Sequence, residues 1–187
     1  VRESLRESTM AAQMEEHHLR EDVDTLIGLN EDAIRRLSSL KGKEKGLAHR
    51  DIKRGWKEVR RIENQMRDDI LEHTQVICAT CVGAGDLLLD SRRFPLILLD
   101  EATQATEPAS LIPLTKGARQ VVLVGDHQQL PPTVISRRAE EAGLAQSLFE
   151  RLNLLGAPTT MLTTQYRMHP VIREWPSERF YLGKLED

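Results

Sequence analysis

Two adjacent carboxylates, Asp100 and Glu101, directly follow an apolar run at residues 96–99. Unpaired charge at the end of a buried strand is expensive, so such a pair normally has a cation nearby. In phosphoryl-transfer sites an acid in this place holds Mg²⁺, often through water, and its neighbour can orient or deprotonate the attacking water. Helix N-capping is the alternative, since aspartate also caps helices well. On these residues alone, both interpretations stay open.

A second polar cluster spans residues 125–132 and follows the apolar run at residues 121–124. Gly125 permits a tight turn at the start of this cluster, and the two prolines at the end of the cluster stop the backbone from pairing. The Gln129 amide can donate hydrogen bonds to a phosphate oxygen and so report whether that phosphate is present. The alternative is a connecting turn with surface amides.

A third cluster, at residues 164–170, combines Tyr166 with Arg167. A guanidinium group can neutralise charge that develops on a transferred phosphate, and an aromatic ring can stack on a base. These two residues therefore suit a triphosphate pocket, although a structural role at a domain border is the alternative.

Short apolar runs precede these clusters and a fourth one, and they occupy residues 76–79, 96–99, 121–124 and 161–162. Runs without alternation are typical of strands buried on both faces of a parallel sheet, with crossover helices between them. Ligands of such sheets bind beyond the carboxyl ends of the strands, where all four polar clusters fall. We therefore predict an α/β fold whose chemistry lies along one edge of the sheet.

The chain before residue 74 follows a different pattern. It is strongly polar, and its apolar residues recur at helical spacing, as in the series Trp56, Val59, Ile62, Met66 and Ile70. Two glycines and dense charge at residues 41–46 predict a turn between two helices of an antiparallel pair. At this spacing, Trp56 indicates packing more than a base-stacking platform.

Composition limits the function classes. The chain has 187 residues, 40% of them hydrophobic and 29% charged, which is typical of a globular domain and excludes disordered and fibrous classes. No run of 18 apolar residues occurs, and the first residues lack the layout of a signal peptide. We therefore expect no membrane association and a cytoplasmic or nuclear location.

Charge is unevenly distributed along the chain. The net charge of -3 argues against a uniformly basic coat, yet residues 41–61 contain nine Lys or Arg residues against three acids. A solvated helix face and a surface facing nucleic acid both explain this basic stretch.

Together, the order and spacing of the three clusters resemble the motifs of superfamily 1B helicases. The likeness is to the up-frameshift group of nonsense-mediated mRNA decay and to the related senataxin-like branch. It is carried by residues 76–86, 100–108 and 142–152, and it extends over about residues 35–187. Pro131 and Pro132 look more like the senataxin-like branch. The phosphate-binding loop Gly-x-x-x-x-Gly-Lys-[Ser/Thr] does not occur in this sequence.

This resemblance implies a fold and a domain organisation. The chain is expected to be part of a RecA-like P-loop NTPase domain, a parallel sheet with flanking helices, preceded by an inserted helical hairpin. Residues 1–74 would form the helical insertion. Residues 75–187 would form the C-terminal part of the first RecA-like domain and run into the start of the second.

The resemblance also implies roles for the acidic cluster. Asp100 matches the acid that holds Mg²⁺ through water, and Glu101 matches the catalytic residue that activates the hydrolytic water. Gln104, three residues later, is expected to take part in nucleotide binding.

Roles for the remaining clusters follow in the same way. Gln129 matches the glutamine that senses the γ-phosphate, Arg167 matches the arginine that contacts it, and Tyr166 matches the aromatic residue beside the adenine. Thr80 and Gly83 lie in a loop that resembles a segment contacting the nucleic-acid backbone, where small residues permit close approach.

The implied function is that of an ATP-dependent RNA or DNA helicase, with ATP and Mg²⁺ as cofactors. RNA, single-stranded DNA and decay or surveillance factors are the implied partners. Because the phosphate-binding loop does not occur here, we expect the chain alone not to hydrolyse ATP efficiently. A non-catalytic nucleic-acid-binding or interaction module derived from a helicase is the alternative, and the cluster at residues 164–170 disfavours an unrelated nucleotide hydrolase.

Overall fold

A computed structural model describes the backbone of residues 3–187 and the side chains of residues 5–187. Within it the chain divides into two compact units, one ending at Cys78 and the other spanning Ala79–Asp187. We call them the helical unit and the sheet unit. The part of the predicted helical region at residues 1–2 lies outside the described residues. No helix in the described part of the chain is both long enough and apolar enough to cross a bilayer.

The helical unit consists of helices joined by short connections. They are α1 (Glu3–Arg6), α2 (Met10–Glu15), α3 (Arg20–Arg36) and α4 (Gly42–Glu72). The Thr9 hydroxyl accepts a hydrogen bond from the Ala12 amide at 3.2 Å and so caps α2. The two long helices, α3 and α4, supply most of the buried surface of this unit.

The core of the helical unit lies between α3 and α4, which run antiparallel. Val23, near the start of α3, packs with residues in the second half of α4, whereas Asn30, further along α3, lies against Gly55. The buried cluster consists of Val23, Val59, Ile62 and Met66, and the half-buried residues Met14, Leu19, Leu26, Ile27 and Trp56 pack around it. Trp56 therefore packs, as its helical spacing predicts.

The connection between these helices lies earlier than the glycines predict. It occupies residues 37–41, and α4 already begins at Gly42, so the turn predicted at residues 41–46 is wrong. Gly42 adopts a positive φ of 56°, which turns the chain into α4. Gly46 then lies inside the helix, where its missing side chain faces open space and costs about 1 kcal/mol of helix stability relative to alanine.

The sheet unit contains a parallel strand pair. Strands β1 (Leu96–Leu99) and β2 (Gln120–Leu123) pair from Leu96 with Gln120 to Leu99 with Leu123, and helix α5 (Glu107–Leu114) crosses between them. This β-α-β arrangement confirms a parallel α/β fold for this region. It also confirms that the clusters beginning at Asp100 and Gly125 follow neighbouring strands at the same edge of the sheet.

Two further predicted strands do not form. Residues 76–79 and 161–162 belong to no strand in residues 3–187, and near the second run only Thr164 makes an isolated parallel bridge, to Glu186. An apolar run becomes a strand only when a neighbour pairs with its backbone groups, and no described segment does so here. Val76 and Leu162 accordingly remain 77% and 79% exposed.

Short helices complete the sheet unit: α6 (Arg137–Glu141), α7 (Leu148–Leu154) and α8 (Pro170–Phe180). The Ser147 hydroxyl caps α7 by accepting the Glu150 amide at 3.1 Å. Helix α7 packs against the 3₁₀ turn Ala102–Gln104, which follows β1. Packing of α7 thus supports the segment that carries the acidic cluster.

Candidate functional site

The acidic cluster occupies a sharp turn at the carboxyl end of β1. Glu101 has a left-handed backbone with φ 52°, and its amide donates a hydrogen bond to Asp100 Oδ1 at 3.0 Å. A non-glycine residue is strained in this backbone conformation. Such strained residues cluster at functional sites. The turn leaves both carboxylates exposed beyond the sheet.

Gln104 contacts the acidic cluster directly. Its Nε2 donates a hydrogen bond to Glu101 Oε2 at 3.1 Å across the 3₁₀ turn. Ala102 and Thr103 between them are buried, so the turn is anchored while its two ends face outward. The structure therefore brings Gln104 to the Glu101 carboxylate, and its predicted nucleotide contact stays a prediction.

The segments that follow β1 and β2 lie side by side. The Ala102 amide donates to the Val124 carbonyl at 2.8 Å, extending the ladder beyond the last strand residues. At Gly125, a Cβ atom would lie 3.1 Å from the Thr103 amide nitrogen and 3.2 Å from that of Ala102. Only glycine allows this approach without displacement. The approach places the loop that carries Gln129, called the Gln129 loop, beside the turn that carries the acidic cluster, called the acidic turn.

Asp126 organises the loop that carries Gln129. Its Oδ1 accepts the Gln128 amide at 2.9 Å, and its Oδ2 accepts both Gln129 Nε2 at 2.9 Å and the Tyr181 hydroxyl at 2.6 Å. Burial raises the pKa of Asp126, but the hydrogen bonds from Tyr181, Gln128 and Gln129 outweigh it and leave that pKa lowered. Burial, followed by the bond to Asp126, raises the pKa of Tyr181 to about 12.

The loop with Tyr166 and Arg167 is held from within by Gln165. Its Oε1 accepts the amides of Arg167 at 2.9 Å and Met168 at 2.6 Å. Its Nε2 donates to the Met168 carbonyl at 2.7 Å and to Asp187 Oδ1 at 2.6 Å. Tyr166 is 92% exposed and Arg167 is also exposed, so both side chains face solvent from a fixed backbone.

Asp187 ties this loop to helix α8. Arg173 Nη2 donates to Asp187 Oδ2 at 2.9 Å, and Arg173 Nη1 donates to the Leu185 carbonyl at 2.8 Å. The hydrogen bonds from Arg173 and Gln165 lower the pKa of the Asp187 carboxyl. The loop and α8 are thus joined through one carboxylate.

Thr80 and Gly83, the predicted nucleic-acid contacts, lie together. The Thr80 hydroxyl accepts the Gly83 amide at 3.0 Å, and a Cβ at Gly83 would come within 2.9 Å of that hydroxyl oxygen. Gly83 begins the 3₁₀ turn Gly83–Gly85, and both residues are exposed. This geometry shapes an open loop, and its contact with nucleic acid stays a prediction.

Three residues of the site were not predicted from the sequence: Asp126, Gln165 and Tyr181. An acid directly after the strand-terminal glycine was a usable signal for Asp126, and the position of Gln165 before Tyr166 was another. Tyr181 carries no such signal, because its partner lies 55 residues earlier in the chain.

The acidic turn fits a magnesium site that is completed by a nucleotide. In residues 3–187, no group of three or more His, Cys, Asp or Glu side chains gathers as a metal cage. Mg²⁺, however, is usually held by one or two carboxylates, substrate phosphates and several waters. The exposed carboxylate oxygens of Asp100 are donors of this kind.

Comparison with known proteins identifies relatives of this chain. Two profiles of an AAA domain match residues 2–137 and 144–187. The chain is 50% identical over 154 residues to "ATP-dependent helicase NAM7" of Saccharomyces cerevisiae, an alignment covering 82% of this chain and 15% of the relative. It is 48% identical over 176 residues to "Regulator of nonsense transcripts 1" of Dictyostelium discoideum, covering 94% of this chain and 13% of the relative.

A third relative is "Probable helicase MAGATAMA 3" of Arabidopsis thaliana, with 51% identity over 126 residues, covering 66% of this chain and 15% of the relative. The chain thus spans a small fraction of the length of the curated relatives it matches. These relatives confirm the resemblance to the up-frameshift helicase group that the sequence clusters indicate.

Proposed function

Because this chain belongs to the AAA domain family, we propose that it is a segment of an ATP-dependent helicase that remodels RNA or DNA, in RNA metabolism such as nonsense-mediated decay. The observation that carries the proposal is the meeting of the acidic turn and the Gln129 loop at one edge of a parallel strand pair. Relatives named as helicases and as regulators of nonsense transcripts support it. The activity belongs to the whole protein.

The fold proposal follows from the same family. Residues 75–187 are the C-terminal part of a first RecA-like domain that runs into the second, and residues 1–74 are a helical hairpin inserted into the first. The β-α-β unit of the sheet unit and the antiparallel α3–α4 pair support these assignments.

Glu101 is the proposed catalytic base. Its carboxylate accepts a proton from the water that attacks the terminal phosphate, while Gln104 fixes the orientation of that carboxylate through Oε2. Asp100 would hold Mg²⁺ through water, and bound Mg²⁺ would neutralise charge on the phosphates of ATP. The strained turn at Glu101 keeps the two carboxylates at the edge of the sheet.

Gln129 and Arg167 are the proposed contacts to the γ-phosphate, and Tyr166 is the proposed contact to the adenine. The guanidinium and the amide lie on separate segments. When both contact the γ-phosphate, that phosphate holds the segments together and so controls closure of two RecA-like domains. The exposed positions of Tyr166 and Arg167 leave them accessible to a nucleotide.

Thr80 and Gly83 are the proposed contacts to the nucleic-acid backbone, supported by their open loop. RNA and single-stranded DNA are the proposed polymers, and decay or surveillance factors are the proposed protein partners. The cytoplasm or the nucleus, where such polymers occur, is the proposed location.

Glu101→Gln in the full-length protein tests this function. ATP hydrolysis stimulated by RNA or single-stranded DNA should fall by at least about a hundred-fold, because the amide cannot accept the proton. ATP binding should persist. Glu140→Gln is the matched control, because it makes the same Glu-to-Gln substitution at an exposed position in α6. It should keep wild-type turnover.

ATP hydrolysis is measured with RNA and with single-stranded DNA side by side, so that inactivity with one polymer is distinguished from inactivity with both. A wild-type protein that is inert with each polymer, or a Glu101→Gln variant with normal turnover, would contradict the proposal.

The isolated chain gives a second prediction. Because Gly-x-x-x-x-Gly-Lys-[Ser/Thr] does not occur in its 187 residues, we expect no efficient ATP turnover by this chain alone. Phosphate release by the purified chain, measured against the full-length protein at equal concentration, checks this. Comparable turnover by the two would show that these residues suffice for catalysis.

A non-catalytic nucleic-acid-binding module remains the second candidate, favoured by the basic stretch on α4. Arg54, Lys57, Arg60 and Arg61 are exposed along this helix. Arg54 and Arg61 also pair with acids on the same helix, Asp51 at 2.9 Å and Glu58 at 2.7 Å, which reduces their free charge. Salt-dependent polymer binding by a full-length protein without ATPase activity would favour this candidate.

A further inference from the structure

Tyr181 reaches across the sheet unit to the loop that holds Gln129. Its hydroxyl donates to Asp126 Oδ2 at 2.6 Å, although the two residues are 55 positions apart. The same oxygen accepts Gln129 Nε2 at 2.9 Å. One carboxylate oxygen is therefore shared by the proposed phosphate sensor and a residue that follows α8.

The position of Tyr181 is fixed by a hydrogen-bonded turn that follows α8. Its amide donates to the Ser177 carbonyl at 3.0 Å, and the amide of Gly183 donates to the same carbonyl at 2.9 Å. Ser177 is 2% exposed, and its hydroxyl accepts the Leu185 amide at 3.1 Å. Leu182 has a left-handed backbone with φ 54°, so the turn is held in a conformation that a leucine rarely adopts.

Tyr181 and Gln129 both donate to Asp126 Oδ2. Each hydrogen bond is weaker than it would be alone, because the negative charge of that oxygen is shared between two donors. A phosphate that takes the Gln129 amide must win it from Asp126. Once Gln129 leaves, the Gln128 amide still donates to Oδ1 of the half-buried Asp126 carboxylate, but Oδ2 needs another donor, since leaving a buried charge poorly satisfied is expensive. The Tyr181 hydroxyl supplies that donor in both arrangements.

We propose that Tyr181 is a positioning residue that acts through Asp126 and frees the Gln129 amide for the terminal phosphate of a nucleoside triphosphate. This inference rests on the proposed function, because it takes Gln129 as the phosphate sensor. Without the hydroxyl, Gln129 would be the only side-chain donor on that oxygen and would be held more tightly. Triphosphate binding would weaken, while diphosphate binding, which does not involve Gln129, would not.

Tyr181→Phe in the full-length protein tests this role, because it keeps the ring and removes only the donor. We expect affinity for a non-hydrolysable ATP analogue to fall about five-fold, the size of change expected from one ordinary hydrogen bond, and affinity for ADP to change by less than about two-fold. KM for ATP should rise by a similar factor. Thermal unfolding checks that the variant remains folded.

A double variant separates positioning from general support of the fold. In a Gln129→Ala background, Tyr181→Phe should cause no further loss of triphosphate affinity, because the residue through which it acts is gone. A further loss in that background, or equal losses for ATP analogue and ADP, would overturn the positioning role.

Two failures are distinguishable in this design. If Gln129→Ala leaves the preference for triphosphate over diphosphate unchanged, Gln129 is not the sensor and the proposed site is overturned together with the role of Tyr181. If Gln129→Ala removes the preference and Tyr181→Phe does not affect it, only the role of Tyr181 is overturned.

Discussion

The helical unit and the sheet unit are stabilised in different ways. In the helical unit an apolar cluster lies between two long helices, and many side-chain ion pairs stay within one turn of a helix, as between Arg61 and Glu58. In the sheet unit, polar side chains join segments far apart in sequence. Arg151 donates two hydrogen bonds of 2.7 Å to Glu107, 44 residues earlier, and Tyr181 reaches Asp126.

The strands of the sheet unit contribute little burial of their own. Leu96 and Leu98 of β1 are 58% and 61% exposed, and Val121 and Val122 of β2 are each 44% exposed. Apolar burial supplies stability in proportion to the area removed from water, so within the described residues these strands supply little beyond the buried Leu99. Packing therefore maintains the helical unit, whereas directed polar contacts and one close backbone approach maintain the site.

Met66→Ala should have the largest effect on stability and tests the packing side of this comparison. Met66 is fully buried in the α3–α4 cluster, so truncation leaves a cavity and should lower the free energy of unfolding by about 3 kcal/mol. Hydrogen exchange of the chain in urea should show the loss at α3 and α4. Leu29→Ala, at a position 62% exposed on α3, is the matched control, and an equal loss there would refute the packing account.

Gly125→Ala tests the close approach beside the acidic turn. The added Cβ would meet the Thr103 and Ala102 backbone at 3.1–3.2 Å, so the turn must shift at a cost of about 1–2 kcal/mol. Gly46→Ala makes the same exchange in open space on α4 and should instead stabilise by about 1 kcal/mol. Changes of opposite sign in the free energy of unfolding, measured by urea denaturation, would support this difference between the two sites, and changes of equal sign would contradict it.

Acid should weaken the polar contacts of the sheet unit, with the smallest effect of the three. The pKa values of Glu107, Asp126 and Asp187 are lowered, chiefly by Arg151 for Glu107, by Tyr181 for Asp126 and by Arg173 for Asp187. Lowered carboxyl pKa values stabilise the fold above the ordinary range near pH 4, and this stabilisation is lost as pH falls through the lowered values.

Solvent screens the pairs of Glu107 and Asp187, which limits the size of this effect. We expect the protection factors for hydrogen exchange, corrected for the intrinsic pH dependence of exchange, to fall more at α5, α7 and α8 than at α3 between pH 6 and pH 3. Glu107→Gln should reduce the pH dependence of protection at α5 and α7. An equal loss of protection in both units would contradict the electrostatic difference between them.

The sequence predicted those parts of the fold that depend on local pattern. The run at residues 96–99 was correctly predicted as a strand, and β2 lies within one residue of the predicted 121–124 run. The run at residues 76–79 is also apolar but has no paired neighbour in the described residues, and apolar character does not encode pairing. The turn before α4 was misplaced because Gly46 reads as a breaker yet is tolerated in an exposed helix position.

For the site, the sequence located the segments but not the contacts within them. Gln104 and Glu101 are three residues apart, so one 3₁₀ turn brings them together, and their spacing contains that information. The contact between Asp126 and Tyr181 depends on where the turn at Ser177 directs the chain. No local pattern reports a contact that is created by tertiary folding.

The internal support of the 165–168 loop by Gln165 has a practical consequence for spectroscopy. The Gln165 side-chain amide makes four hydrogen bonds that shape or anchor this loop, and none of them uses the side chain of Tyr166. A small fluorescent amino acid placed at position 166 should therefore leave the backbone intact. If position 166 contacts the adenine as proposed, the emission of this label would record the arrival of a nucleotide in real time.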